Sequence, residues 1–447
     1  MIPVIAMPNS DNETNPVTSF AITNYRDIRM RFGIKEKNRR GHIYIVGKTG
    51  TGKTTLIENM VVSDIMGGNG VAVIDPHGDL AESLLNHIPR RRIKETIYFN
   101  PADLDYPIAF NPLEKVDRDH QHLVASGLIS VFHKIWHEFW GPRMEHILRN
   151  AILALLEYPE STLLDLSLIL VDKEFRRRVL EKVTNQQVKN FWFTEFEKYS
   201  AWFRADALAP VQNRVGQFLS VPLMKNMLGQ TQNSINFREI MDEGKILIVN
   251  LSKGKIGEDC CSLLGAMITT KIQLAAMSRG DIPEEKRKTF YLYVDEIHNF
   301  LTQSFADILS EARKYGLSMT LTHQYIEQLD EKIMAAIFGN VGTLITFRVG
   351  ARDAYFLKNE FHPVLSESDL VSLPNHYIYL KLMIDGVTSK PFSGITLPPP
   401  KVSASCRNRI IEASRKTFTR TREEVEKEIS TCGILPERAL TRQTRLF

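Results

Sequence analysis

Ile43-Tyr44-Ile45-Val46-Gly47-Lys48-Thr49-Gly50-Thr51-Gly52-Lys53-Thr54-Thr55 decides the fold. An apolar run enters a G-x-x-x-x-G-K-T loop, and the loop opens a helical pattern, Leu56 to Val62. That order is the context a phosphate loop requires, strand before and helix after. Gly47, Gly50 and Gly52 let the backbone curl so that its N–H groups face one centre. The start of the helix adds its positive dipole end. In this pattern Lys53 reaches the β- and γ-phosphates and Thr54 offers a hydroxyl to Mg²⁺. Lys48, Thr49, Thr51 and Thr55 complete the stretch expected to cradle the nucleotide, ATP.

Working outward, Gly67-Gly68-Asn69-Gly70 stops the helix, and Val71–Asp75 reads as a strand buried on both faces. Pro76-His77-Gly78-Asp79 leads into a helix, Leu80–His87, with Asp79 as its expected cap. Thr96–Phe99 is a third strand. Strands alternating with helices predict a doubly wound, mainly parallel α/β sheet. The sheet resumes at Lys245–Asn250 and continues through Phe290–Val294, Ser318–Thr322 and Val341–Phe347. A hairpin around Asp385-Gly386 completes it.

Between about His120 and Gly244 the period is helical: Gln121–Glu138, Pro142–Glu157, Glu174–Val183, Gln187–Lys198 and Arg204–Ser220. This block reads as an all-α insertion, and it holds Trp136, Trp140, Trp192 and Trp202, the chain's four tryptophans. Their plain reading is a helical core. The divisions expected are an N-terminal arm and basic segment (1–40), the two parts of the ATPase domain (41–118 and 241–398), the insertion (119–240) and a basic tail (399–447). Residues 1 to about 20 read as a loosely packed arm, and Tyr25–Phe32 as a docking segment.

Hydrolysis of a nucleoside triphosphate needs a metal held and a water oriented, besides the phosphate loop. Asp295-Glu296 ends the apolar strand Phe290–Val294, and ligands in such sheets bind outside strand carboxyl ends. Asp295 is the expected Mg²⁺ partner, and Glu296 the residue that activates water. Gln324 also ends a strand, 28 residues after Glu296, where an amide can position the γ-phosphate and water. Arg313 is a candidate finger donated to a neighbouring subunit, with Lys314 and Arg348 as rivals. His77 and His298 lack metal-ligand spacing.

The bulk numbers agree with this class. Hydrophobic content is 43% and charged content 24%, as in globular proteins. No apolar run reaches the ~18 residues of a bilayer span, Leu163–Val171 being the nearest. A cytoplasmic protein, or one peripheral at the inner face of the membrane, is therefore expected. Cys260, Cys261, Cys406 and Cys432 lack paired spacing and read as buried thiols of a reducing compartment. From Lys401 to Phe447 there are 11 Lys+Arg against 6 Asp+Glu, a surplus of +5 in a chain of net +4. A second basic cluster spans Arg26 to Arg40. Basic ends suit nucleic acid or an anionic surface, and also an ordinary solvated tail.

Taken together, the loop Gly47–Thr54, Asp75-Pro76-His77-Gly78-Asp79, Phe110-Asn111-Pro112-Leu113, Trp140-Gly141-Pro142-Arg143, Tyr293-Val294-Asp295-Glu296, Arg313-Lys314-Tyr315-Gly316 and Gln324 resemble the FtsK/HerA class of motor ATPases. Within it they are most similar to TraD/TraG-type coupling proteins of conjugation and type IV secretion, over about residues 40–395. The resemblance implies a RecA-like P-loop NTPase domain with an all-α insertion, in a hexameric ring around DNA. It implies that Arg313 completes a neighbour's site, that Gln324 is the sensor glutamine, and that secretion or relaxosome proteins are further partners. Such coupling proteins usually carry N-terminal transmembrane helices, and none is visible in this sequence. Two alternatives stay open: a soluble HerA-like motor for DNA processing, segregation or packaging, and a nucleotide-dependent docking scaffold that does not translocate DNA.

Overall fold

The computed structural model describes residues 17–24, 28–114, 116–402 and 404–431. The chain divides into two compact units. One takes the described residues within Met1–Phe99, Phe237–Gly257 and Ile272–Ser414, and the other those within Asn100–Asn236, Glu258–Lys271 and Arg415–Phe447. These limits run differently from 119–240 and 399–447. The helical unit begins about twenty residues earlier and takes in a separate piece at 258–271 and the later part of the tail.

The first unit is built on one 11-stranded sheet. Its strands are β1 (Val17–Thr23), β2 (Arg31–Lys35), β3 (Ile43–Val46), β4 (Gly70–Asp75), β5 (Thr96–Phe99), β6 (Ile246–Asn250), β7 (Phe290–Val294), β8 (Leu317–His323), β9 (Thr343–Thr346), β10 (Tyr377–Lys381) and β13 (Phe392–Thr396). A separate small ribbon pairs β11 (Met383–Ile384) with β12 (Val387–Thr388). The order across the sheet is β2-β1-β13-β10-β9-β3-β8-β7-β4-β6-β5. From β9 to β5 every neighbouring pair is parallel, while β10, β13, β1 and β2 add an antiparallel edge. β3, β4, β6, β7, β8 and β9 are buried at every residue; β3, β4, β6 and β7 accordingly read as nearly continuous apolar runs, whereas β8 alternates apolar residues with the buried Ser318, Thr320 and Thr322.

The antiparallel edge corrects the N-terminal reading. Val17–Thr23 is not part of a loose arm: Ala21 pairs with Thr396, and Phe20 and Ala21 are fully buried. Arg31–Lys35 pairs back on it, so the expected docking segment ends in a strand. Residues 1–16 and 25–27 lie outside the described residues. The hairpin expected at Asp385-Gly386 forms, with both residues at positive φ, 49° and 86°, as a tight primed turn demands.

One buried cluster fixes the phosphate-loop helix (Lys53–Gly67) to the strand that ends in the carboxylates. The Arg39 guanidinium is buried and donates to Thr18 Oγ1 at 2.8 Å, Asp64 Oδ2 at 2.8 Å and Tyr293 Oη at 2.6 Å. It also lies 3.8 Å over the Tyr291 ring. Removing one partner of such a pair strands a buried charge, at about 3–5 kcal/mol. Other basic residues read in the sequence form ion pairs at the surface. Lys35 and Lys37 meet Asp385, and Arg407 meets Glu82.

The second unit is helical. Its longer elements are Gln121–Ile135, Pro142–Glu157, Lys173–Lys182 and Ala201–Leu219. The single helix expected at Gln187–Lys198 breaks into Gln186–Asn190, a π turn Phe191–Glu195 and a 3-10 turn Phe196–Lys198. The core reading of the tryptophans holds for two of the four. Trp136 stacks on Phe132 and Trp192 packs edge-on to Phe196, both indoles buried, whereas Trp140 is half-buried and Trp202 is 77% exposed. In the tail, Val425 and Ile429 are buried, and Arg415 and Arg422 pair with Asp103 and Glu426. Cys260, Cys261 and Cys406 are buried free thiols, and Cys432 lies outside the described residues. Among the described residues one helical stretch, Glu258–Asp281, is long and apolar enough to cross a membrane. It is longer than the Leu163–Val171 run noted in the sequence, and it is mostly buried inside the fold, as a core helix is.

Candidate nucleotide site

All the candidate residues belong to the sheet unit. The phosphate loop follows β3 at its carboxyl end, and the parallel neighbours β8 and β7 deliver Gln324 and Asp295-Glu296 to the same edge. Val46 lies opposite His323, one residue before Gln324. The loop turns on Gly50 and Gly52, at φ 74° and 118°. Gly47 has no room for a side chain, since a Cβ there would come within 2.5 Å of the Phe347 Cβ. Thr51 Oγ1 donates to Lys48 O at 2.7 Å, and Lys53 Nζ donates to Gly47 O at 2.6 Å and Lys48 O at 3.1 Å. The loop is thus wrapped around its own ammonium group. Burial draws the Lys53 ammonium below its ordinary range, against the pull of Glu296 and Asp295.

A chain of hydrogen bonds ties the loop to the carboxylates. Thr49 Oγ1 donates to Gln324 Oε1 at 2.8 Å, and Gln324 Nε2 donates to Glu296 Oε1. Thr322 Oγ1 donates to Asp295 Oδ1, which also accepts the Glu296 N–H at 3.1 Å. Glu296 adopts the left-handed region, φ 49° and ψ 60°, a strained setting for a glutamate and one that occurs at functional sites. Its Oε2 lies 3.5 Å from His298 Nδ1. Burial pushes the Glu296 carboxyl upward, with Asp295 adding to this while the Gln324 bond, Lys53 and His77 oppose it. Thr54 stands exposed on the first turn of the helix. With Asp295 it offers the hard oxygen donors that Mg²⁺ takes.

Asp75 acquires a structural place. Its Oδ1 accepts the His77 N–H at 2.8 Å and its Oδ2 the Ala81 N–H at 2.9 Å. It therefore caps the helix Asp79–Leu84, replacing the expected cap Asp79, while Gly78 at φ 94° is the N-cap residue. A Cβ at Gly78 would lie 2.7 Å from Asn250 Oδ1, so glycine is needed there.

The arginines separate. Arg348 donates to Leu373 O at 3.3 Å and Asn375 Oδ1 at 2.9 Å, so its guanidinium is engaged within its own chain. Arg313 is exposed on the turn Ala312–Tyr315, which precedes β8. It lies beside His42, at the amino end of β3, and its charge helps to lower that imidazole. Arg313 and the phosphate loop of one chain are therefore at opposite ends of the parallel strands. Sequence reasoning missed Thr322, which holds Asp295, although its place two residues before Gln324 on the same strand was a usable signal. Among the described residues no group of three or more His, Cys, Asp and Glu could hold a metal ion.

A sheet in the order β9-β3-β8-β7-β4 with a phosphate loop after β3 and an Asp-Glu pair after β7 defines a RecA-like P-loop NTPase domain. The profile of the type IV secretion-system coupling protein DNA-binding domain matches residues 31–356, and the chain belongs to that family. A comparison with curated proteins gives no match. Solved structures share the fold. The plasmid coupling protein TrwB in complex with ADP and Mg²⁺ is similar at 16% identity and a TM-score of 0.59, covering 89% of this chain and 99% of its own. TrwB with a non-hydrolysable ATP analogue is similar at 18% identity and a TM-score of 0.58, covering 83% and 88%. VirB4 of Thermoanaerobacter pseudethanolicus is similar at 14% identity and a TM-score of 0.56, covering 87% and 98%.

Proposed function

We propose that this protein is an Mg²⁺-dependent ATPase that drives DNA through a ring of identical subunits, as a motor of the coupling-protein type. The hydrogen-bonded chain from Thr49 through Gln324 to Glu296 carries this reading. It joins the phosphate-holding loop to the candidate base, so the γ-phosphate end of the site and the water-activating carboxylate are coupled by one side chain. In this reading the N–H groups of Gly47–Thr55 cradle phosphate, Lys53 turns from the loop carbonyls to the β- and γ-oxygens, and Thr54 and Asp295 hold the metal. Bound Mg²⁺ supplies neutralisation of phosphate charge. Glu296, pushed up by burial, accepts the proton of the attacking water. Gln324, released from Glu296, orients that water. Arg313 of an adjacent copy supplies the remaining positive charge, a role its exposure and its distance from its own loop both fit. The family's DNA-binding description and the TrwB complexes with nucleotide support DNA and ATP as ligands. Secretion or relaxosome proteins, at the cytoplasmic face of the membrane, are the further partners proposed.

The test is ATP turnover with and without DNA. Wild-type protein should be stimulated by DNA, and Glu296→Gln should bind ATP yet turn it over about a thousandfold more slowly. Turnover indifferent to DNA would overturn the translocase.

A further inference from the structure

The phosphate loop is braced on the side away from its carboxylates. In the sheet, β3 has β8 and β7 on one side, leading to Gln324 and Glu296, and β9 and β10 on the other. β10 is antiparallel to β9, with Tyr379 opposite Thr346. His376, just before β10, therefore lies at the same edge as the phosphate loop.

His376 is held there by its backbone. Its N–H donates to Thr51 O at 2.8 Å, and its carbonyl accepts the Thr396 N–H at 2.9 Å and the Thr396 hydroxyl at 3.2 Å. Its φ is 70°, in the left-handed region that residues with a side chain seldom adopt. The Arg348 bonds to Leu373 O and Asn375 Oδ1 fix the preceding turn. The ring itself is exposed and stands over the loop: a Cβ at Gly52 would come within 2.9 Å of His376 Nδ1. The strain thus places a flat aromatic ring at the rim of the loop. Glu296 and Gln324 mark the end where the γ-phosphate must react. The opposite rim, where His376 lies, is left for the nucleoside end.

We propose that the His376 imidazole is the stacking surface for the base of the nucleotide held by Gly47–Thr55. This rests on the nucleotide-binding reading above. Stacking reads the π face and not the edge groups of a base, so ATP and GTP should depend on His376 alike.

The experiment compares equilibrium binding of ATP, GTP and inorganic tripolyphosphate, each with Mg²⁺, to the wild type and to His376→Asn. Asparagine tolerates the left-handed backbone but removes the ring. The expected result is about tenfold weaker binding of both nucleotides with tripolyphosphate unchanged. In the wild type, abasic ribose 5′-triphosphate should bind about tenfold more weakly than ATP, which checks the base contact without a substitution. Unchanged ATP affinity in His376→Asn, an equal loss for tripolyphosphate, or equal affinity of ATP and the abasic analogue would overturn the base contact. Failure of the wild type to bind either ATP or tripolyphosphate would instead overturn the phosphate-loop reading itself.

Discussion

The two ends of the parallel strands are built differently. At the carboxyl ends, Lys53, Asp295, Glu296, Thr322 and Gln324 are buried or half-buried and hydrogen-bonded to each other or to the loop. At the amino ends, Arg313 stands exposed. A polar group that must act on a bound phosphate benefits from being placed beforehand in a water-poor setting. An exposed arginine gains nothing from its own chain and is available to another. In the function proposed above, this contrast corresponds to a site whose carboxylates are preset in one copy and whose last charge arrives by assembly.

The sharpest way to break this comparison is Arg313→Ala. It should lower ATP turnover about a thousandfold with nucleotide affinity nearly unchanged, measured by steady-state hydrolysis and equilibrium binding. Mixing Arg313→Ala with Glu296→Gln subunits should recover measurable turnover, because each copy supplies what the other lacks. No recovery would place Arg313 outside the neighbour's site.

Next in size, Asp64→Asn should destabilise the sheet unit by about 3 kcal/mol in denaturant titrations, since it leaves Arg39 buried without its counter-charge. The chemistry should be less affected than the stability, because the cluster acts on the frame and not on phosphate.

Acid should weaken both ends. Burial lowers His42 to about 4, with the Leu309 carbonyl opposing and Arg313 assisting, and burial with the His298 charge lowers His323 to about 3. His42 Nδ1 accepts the Met319 N–H at 3.1 Å while Nε2 lies 3.1 Å from Leu309 O, so the neutral ring is satisfied and a second proton would displace a bond. The unfolded chain takes up these protons near pH 6.5 and the folded chain does not. Stability is therefore full above about pH 6.5 and falls towards pH 4, by up to about 1.4 kcal/mol per histidine per pH unit. Thermal midpoints at pH 7 and pH 5 check it, and His42→Gln should flatten the profile.

The smallest effect is expected from Thr49→Val, which cuts the loop from Gln324 and should slow turnover about fivefold in the same hydrolysis assay. An equal loss in Thr49→Ser, which keeps the hydroxyl, would show that the hydrogen bond is not what matters.

Much of the site was legible because its chemistry is bound to local order. The phosphate loop must follow a strand and open a helix, and the Asp-Glu pair must end an apolar run, so both stand out in sequence. The antiparallel edge did not stand out. Val17–Thr23 carries three hydroxyl-bearing residues and sits beside a polar segment, and it joins the sheet by pairing with Phe392–Thr396, far along the chain, while Arg31–Lys35 pairs on its other side. Asp75 was visible as a motif but not as a cap, because its partner Ala81 N–H is supplied by a turn through Gly78 at positive φ. The helix expected at Gln187–Lys198 failed for a related reason. Periodicity reports which face is apolar, not whether the hydrogen-bond ladder stays regular through Phe191-Trp192-Phe193.

By itself the sequence determined the kind of site, since phosphate binding depends on backbone geometry that only glycines and a lysine at fixed spacing provide. It also determined the sheet class, since β3, β4, β6 and β7, buried on both faces, are almost wholly apolar and alternate with helices. Tertiary structure alone decided which side chains meet. Thr49 is more than two hundred positions from Glu296 and Gln324, and the three meet only because β3, β8 and β7 lie side by side in parallel register. The same register sends Arg313 to the opposite end, and no local pattern in the chain records that separation.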